Sequence, residues 1–190
     1  MMSMSAHKIY GPKGAGALYI KSKSPRIQSE PLIHGGGHEH NVRSGTLNVP
    51  GIVGFGKASE ICMKEMHANN SIKKLRNELE EKLLTTGECF INGSDAIRLP
   101  NTTNIVFKNV DKNAMLTAFT KKIAISTGSA CTSAKPQPSH VLKAMGLDDN
   151  LASLGVRVSV GRFTSEEDIN FASSYIKEII ETLRQEKFKV

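Results

Sequence analysis

The sequence predicts an α/β chain, on three observations. Short β-branched runs alternate with segments whose apolar residues recur every three to four positions, most clearly between residues 67 and 190. Sixteen Gly and seven Pro with no Trp suit such a chain, with loops that carry function, better than a coiled coil. Hydrophobic residues at 39% and charged residues at 23% support a packed core and argue against global disorder.

The elements follow in order. Residues 1–48 are loop-rich, with one strand at Ala17-Leu18-Tyr19-Ile20, entered through a Gly turn and left through Lys-Ser-Lys-Ser-Pro. His34-Gly35-Gly36-Gly37-His38 is irregular, and its glycines let the backbone approach another group closely. After Pro50, Ile52, Phe55, Ala58, Ile61, Cys62 and Met66 recur at helical spacing until Asn69-Asn70 breaks the pattern. A second helix runs from about Ser71 to Leu84 with Leu75, Leu79 and Leu83 on one face. Asn104 to Phe107 is a strand, and Asp111 caps a helix through Met115, Leu116 and Phe119. Ile123-Ala124-Ile125 reads as a short strand, followed by a loop of small residues from Ser126 to Lys135. A short helix over His140 to Met145 ends at Gly146. Val156 to Val160 alternates as a half-buried strand. Thr164 and Glu167 have the spacing of a capping box for a last helix, whose core face is Ile169, Ala172, Ile176, Ile179, Ile180 and Leu183.

Charge and cysteine content narrow the function. Lys+Arg is 25 and Asp+Glu 18, a net charge of +7. The basic residues are scattered and aromatics are only 5%, so no nucleic acid partner is expected, and small anionic ligands suit the charge better. No run of ~18 apolar residues exists, so no membrane partner is expected, and with no apolar stretch in residues 1–8 no secretory signal is expected there. Cys62, Cys89 and Cys131 are odd in number and form no CxxC pair, which disfavours a disulfide framework or structural zinc and favours a reducing compartment, read as cytoplasmic.

Four segments carry chemistry. Ser5-Ala6-His7-Lys8 precedes a Gly/Pro turn. It is not a phosphate loop, because Lys13 is followed by Gly14, and a dinucleotide fingerprint beginning at Gly14 would meet Leu18-Tyr19. A lysine there is either a surface residue or an amine for a carbonyl cofactor, with Ser5 and His7 suited to an adjacent phosphate. His34, His38 and His40 have a spacing open to zinc, but the glycines between the first two hold ligands poorly, so no metal is expected. Arg43, Ser44, Gly45 and Thr46 make a better anion site. Cys131 lies among eight small residues, where an exposed, reactive thiol is more at home than a core one; Cys62 and Cys89 read as inert core or near-core thiols. Arg157 interrupts an apolar strand and must meet an anion or solvent, with a substrate carboxylate and an ordinary salt bridge both open.

Together these motifs resemble one family. Ser-Ala-His-Lys-Ile-Tyr-Gly-Pro-Lys-Gly-Ala-Gly-Ala-Leu-Tyr, His-Gly-Gly-Gly-His-Glu, Arg-Ser-Gly-Thr, Gly-Ser-Ala-Cys-Thr-Ser-Ala and Arg-Val-Ser-Val-Gly-Arg-Phe-Thr look like the cysteine desulfurases of the iron–sulfur cluster assembly branch, from about Ser5 to the C-terminus. The resemblance implies the pyridoxal-phosphate-dependent transferase fold (fold type I), with residues 1–66 a remnant of the large cofactor domain and 67–190 the small domain. It implies an enzyme in which Lys8 carries pyridoxal 5′-phosphate and shuttles protons, and Ser5 and His7 contact the cofactor phosphate. Thr46 would reach the cofactor of a neighbouring subunit in a homodimer. Arg157 would grip the carboxylate of L-cysteine, and Cys131 would attack its sulfur, giving alanine and a persulfide for a sulfur acceptor or iron–sulfur scaffold protein. Family members carry roughly two hundred further residues before the lysine, including the groups that stack on the cofactor ring and pair with its nitrogen. The chain therefore resembles a C-terminal half, completed by a separate N-terminal polypeptide or a truncated product of low activity. A non-catalytic sulfur carrier or scaffold-docking module is the alternative, and an aminotransferase or selenocysteine lyase of the same fold a third.

Overall fold

The computed structural model describes residues 1–25, 27–127 and 137–187. The chain divides into two compact units, Met1–His67 and Ala68–Val190.

In the first unit, β1 (Met2–Ser5) pairs antiparallel with β2 (Gly16–Tyr19), with Met2 opposite Tyr19 and Ser5 opposite Gly16. The ribbon is exposed on every residue of both strands. Its connection holds a 3₁₀ turn, Ala6–Ile9, closed by Tyr10 in the left-handed region with φ 64°. A further 3₁₀ turn, His38–Asn41, contains three consecutive left-handed residues, Glu39, His40 and Asn41. Helix α1 (Val49–Lys64) starts at Asn48, whose Oδ1 accepts from Gly51 N at 3.2 Å, and Pro50 sits in its first turn, where a missing N–H costs nothing. Its apolar residues keep the predicted helical spacing, but Ala58 is the only one of them that is buried. Cys62 and Met66 are exposed, which corrects the reading of Cys62 as a core or near-core thiol. Helical periodicity identifies a face; burial also requires an element packed over it.

The second unit is built on a four-stranded antiparallel sheet in the order β3-β4-β6-β5, from β3 (Cys89–Ile91), β4 (Thr102–Phe107), β5 (Ser126–Thr127) and β6 (Gly155–Ser159). Helices α2 (Asn69–Leu84), α3 (Lys112–Phe119) and α6 (Glu166–Lys187) contribute Leu79, Leu83, Met115, Phe119, Ile169, Ile176 and Ile180 to one core with Ile105, Phe107, Val156 and Val158 of the sheet. Phe107 and Phe119 meet edge-to-face, centroids 6.3 Å apart. On β6, Val156 and Val158 point into this core while Arg157 and Ser159 are exposed on the other face, as a period of two requires. Two shorter helices, α4 (His140–Ala144) and α5 (Asp149–Leu154), stand between β5 and β6 in sequence.

Local chemistry sets the boundaries. Asp111 Oδ1 accepts from Ala114 N at 2.8 Å to start α3, and Asp148 Oδ1 accepts from Leu151 N at 2.8 Å to start α5. Gly146, at φ 97°, ends α4. The capping box of α6 is one residue later than predicted: Asp168 N donates to Ser165 Oγ at 3.1 Å and Ser165 N to Asp168 Oδ2 at 2.9 Å. Thr164 is taken up elsewhere, its Oγ1 accepting from Gly161 N. The strand predicted at Ile123–Ile125 lies three residues further on, at Ser126–Thr127, where pairing with Arg157 and Val156 begins. Asn69 and Asn70 open α2 and do not merely end the preceding helix.

Two polar features brace this unit. Arg184 Nε and Nη atoms donate to the carbonyls of Lys108, Thr86, Gly87 and Glu88 at 2.7–3.2 Å, tying the end of α2 to the end of β4. Glu80 of α2 accepts both Nη atoms of Arg98, at 2.6 and 3.0 Å, with Arg76 Nε 3.7 Å away. Burial pushes the Glu80 carboxyl up, but the Arg98 hydrogen bonds and the charges of Arg98 and Arg76 outweigh it and hold the carboxyl below its ordinary 4.5.

Candidate functional site

Ser5, His7 and Lys8 are exposed at one short turn around Ala6, which is fully buried. Ala6 N donates to Ala15 O at 3.0 Å, and Ala6 O accepts from Gly11 N at 2.9 Å. A Cβ added at Gly11 would stand 2.9 Å from Ala6 O, 3.0 Å from Ala6 Cβ and 3.2 Å from Ala58 Cβ. A Cβ at Gly54 would stand 2.6 Å from Pro12 Cγ. Small residues on both sides thus seat the turn on α1, and the hydroxyl, imidazole and amine are left outward.

The second group is arranged differently from the anion site read in the sequence. Ser44 is buried and its Oγ donates to Gly36 O at 2.6 Å, while Arg43 Nη1 donates to the Ser44 carbonyl. Both side chains are committed to backbone, and Thr46 remains exposed. His34, His38 and His40 are exposed, and the described residues contain no cluster of His, Cys, Asp or Glu placed to hold a metal ion.

Arg157 lies in the second unit. Its Nη2 donates to Ser126 Oγ at 3.1 Å across the β5–β6 pair. None of the ion pairs among the described residues includes it. On its other side Asn104 of β4 is its direct partner, and Asn104 Oδ1 accepts from Asn92 Nδ2 at 2.5 Å. Sequence reading found Arg157 but not these neighbours, because they are separated from it by 31, 53 and 65 positions and only strand register brings them together. Cys131 lies outside the described residues, as does most of its loop.

The aminotransferase class-V family model matches residues 1–171, and the chain belongs to that family. Pyridoxal 5′-phosphate is the cofactor of this family and of its cysteine desulfurases. More particularly, the chain is 46% identical over 186 residues to cysteine desulfurase IscS of Pseudomonas putida, covering 97% of this chain and 46% of that protein. It is 47% identical over 186 residues to cysteine desulfurase IscS of Pasteurella multocida, with the same coverage. Among solved structures, a NifS-like protein matches with a TM-score of 0.81 and 38% identity over 95% of this chain and 46% of that one. A NifS-like protein from Rickettsia africae matches with a TM-score of 0.82 and 36% identity over 94% of this chain and 47% of that one. The α/β fold is thus that of NifS-like, fold type I proteins over most of this chain. The chain spans about half the length of the curated relatives it matches. Among the described residues no helix is long and apolar enough to cross a membrane.

Proposed function

We propose that this chain forms the lysine- and thiol-bearing part of a cysteine desulfurase that uses pyridoxal 5′-phosphate, takes sulfur from L-cysteine and leaves L-alanine. The observation that carries the reading is the turn that sets Ser5, His7 and Lys8 outward around buried Ala6, in a chain so similar to cysteine desulfurases. The donor set fits the cofactor: a primary amine suits its aldehyde, and a hydroxyl and an imidazole on the same turn suit its phosphate. When bound, the cofactor supplies an electron sink that weakens the substrate's C–S bond.

The chain's own residues divide the remaining work. Lys8 Nζ would hold the cofactor through its aldehyde group and would move protons at the substrate. Ser5 and His7 hold the phosphate, and Thr46 reaches the phosphate held by a neighbouring subunit in a homodimer. Arg157 binds the substrate carboxylate; its exposure and its lack of an ion pair among the described residues favour this over an internal salt bridge. The Cys131 thiolate attacks the substrate sulfur, an S–S bond forms as the C–S bond breaks, and the substrate carbon takes a proton. The resulting persulfide passes to a sulfur acceptor or iron–sulfur scaffold protein. Residues 1–66 act as part of the large cofactor domain and 67–190 as the small domain, a division supported by the compact units that meet at His67 and Ala68. Groups of an N-terminal half, on the same or a separate polypeptide, complete the cofactor site. A cytoplasmic setting suits Cys62 and Cys89, both free thiols.

The test is the visible absorbance of the chain with pyridoxal 5′-phosphate, before and after borohydride, with Lys8→Ala as control, followed by sulfide release from L-cysteine with and without Cys131→Ser. A Lys8-dependent band trapped by borohydride, and sulfide release that requires both residues, are expected. A band unchanged in Lys8→Ala, or sulfur transfer retained without Lys8, would overturn the reading.

A further inference from the structure

Arg157 sits in a row of side chains that crosses the sheet on the face opposite the core. Asn92, Asn104, Arg157 and Ser126 follow one another from β3 to β5: Asn92 N donates to Asn104 O at 2.8 Å, Asn104 is registered opposite Arg157, and Arg157 opposite Ser126. Directly paired residues of antiparallel strands project from the same face, so these four side chains are neighbours. The row holds one charge and no carboxylate. Asn104 Oδ1 is committed to Asn92 Nδ2, and it lies 3.2 Å from where a Cβ of Gly155 would stand, so the glycine leaves room for it. Ser126 Oγ takes one proton of Arg157 Nη2.

We propose that Ser126 is a positioning residue for the carboxylate of the α-amino acid substrate, acting through Arg157. This rests on the reading of Arg157 as the carboxylate site. A guanidinium has five N–H donors and binds carboxylates through two-pronged edges. Each Nη2 proton belongs to a different edge, so Ser126 uses one and leaves the other edge complete. A free arginine side chain samples many rotamers, and a ligand that must immobilise it alone loses affinity in doing so. Ser126 holds the fork before the ligand arrives. It does so with a neutral oxygen; a carboxylate at the same position would hold Arg157 equally well and would compete with the ligand. The identity of the residue opposite Arg157 thus decides whether the charge is spent within the protein or kept for a substrate.

The test follows the ¹⁵N resonances of the Arg157 guanidinium, identified by their loss in Arg157→Lys, in the full chain and in Ser126→Ala, Ser126→Thr and Ser126→Asp. Rotation about the Arg157 Cζ–N bonds is measured first. L-Alanine, the product carrying the same α-carboxylate, is then titrated in. Loss of one hydrogen bond predicts rotation and apparent dissociation constant both raised about three- to tenfold in Ser126→Ala. Ser126→Thr restores both, and Ser126→Asp keeps rotation slow but abolishes the alanine response. Rotation and titration unchanged in Ser126→Ala would overturn the proposal. Rotation that responds to Ser126 while no variant, nor the parent chain, responds to alanine would overturn the carboxylate reading of Arg157 and leave the Ser126 anchor standing.

Discussion

The two compact units hold their shapes by different means. In residues 68–190, Phe107, Phe119, Leu79, Ile105 and Met115 are almost wholly withdrawn from water in one continuous core. Among the described residues of 1–67 the only apolar side chains that become buried are two alanines, Ala6 and Ala58, while Ile52, Val53, Met63 and Tyr19 stay exposed. The second unit therefore rests on apolar burial, which scales with area. The first rests on close backbone approach and hydrogen bonds: Gly11 against Ala6 and Ala58, and Ser44 against Gly36. Deleting atoms should damage the second unit, and adding atoms should damage the first.

The largest effect expected is in the core. Phe119→Ala should destabilise the second unit by about 3–5 kcal/mol, measured by urea unfolding followed by circular dichroism. The equivalent truncation Val53→Ala on exposed α1 should change stability by less than about 0.5 kcal/mol. Similar losses at the two positions would break the comparison. Next comes Arg184→Ala, which removes charged hydrogen bonds to four carbonyls and should cost the second unit about 1.5–3 kcal/mol. Arg184→Lys should recover little of it, because an ammonium lacks the planar fork that spans those carbonyls.

The first unit should answer to insertion. Gly11→Val forces side-chain atoms against Ala6 and Ala58 and should cost about 1–3 kcal/mol. Hydrogen exchange should show faster exchange at Ala6 and Gly11 and no change in α6. An unchanged Ala6 amide would show that close approach does not hold the turn.

The smallest effect is a pH dependence in the second unit. Burial raises the Glu80 carboxyl and its arginine partners lower it further, so its folded value lies below the ordinary 4.5. Its contribution to stability is complete above about pH 4.5 and is lost as pH falls through the folded value. Urea midpoints should therefore fall more steeply below pH 4.5 in the parent chain than in Glu80→Gln. Parallel curves would remove Glu80 from the account.

The legible parts of the fold were those governed by one segment's own period. Leu75, Leu79 and Leu83 mark α2, and Ile169, Ile176 and Ile180 mark α6, because each face repeats every turn against a real core. Alternation in β6 placed Arg157 on the outer face for the same reason. The capping box was ambiguous in principle: Thr164–Glu167 and Ser165–Asp168 have the same spacing, and the reciprocal bonds of Ser165 and Asp168, with Thr164 engaged by Gly161 N, settle which is used. The strands β1 and β3 and the helix α5 are too short to show a period. Cys62 had a period but no covering element. In the site, the turn of Ser5, His7 and Lys8 was legible as a motif, since its members are adjacent in the chain. The Arg157 row was not, since pairing across strands is a property of register.

The burial of Ala6 has a consequence for how the Lys8 amine is aimed. The ribbon on either side of the turn hides no side chain, so apolar burial gives β1 and β2 little to choose between neighbouring registers. The methyl group of Ala6, buried beside Gly11, acts as an indexing pin: with it home, the two residues that follow present an imidazole and then an amine. A slip of one position would push the His7 ring toward a space sized for a methyl and swing Lys8 to a new bearing. The smallest chiral side chain in the alphabet thus sets the direction of one of the longest.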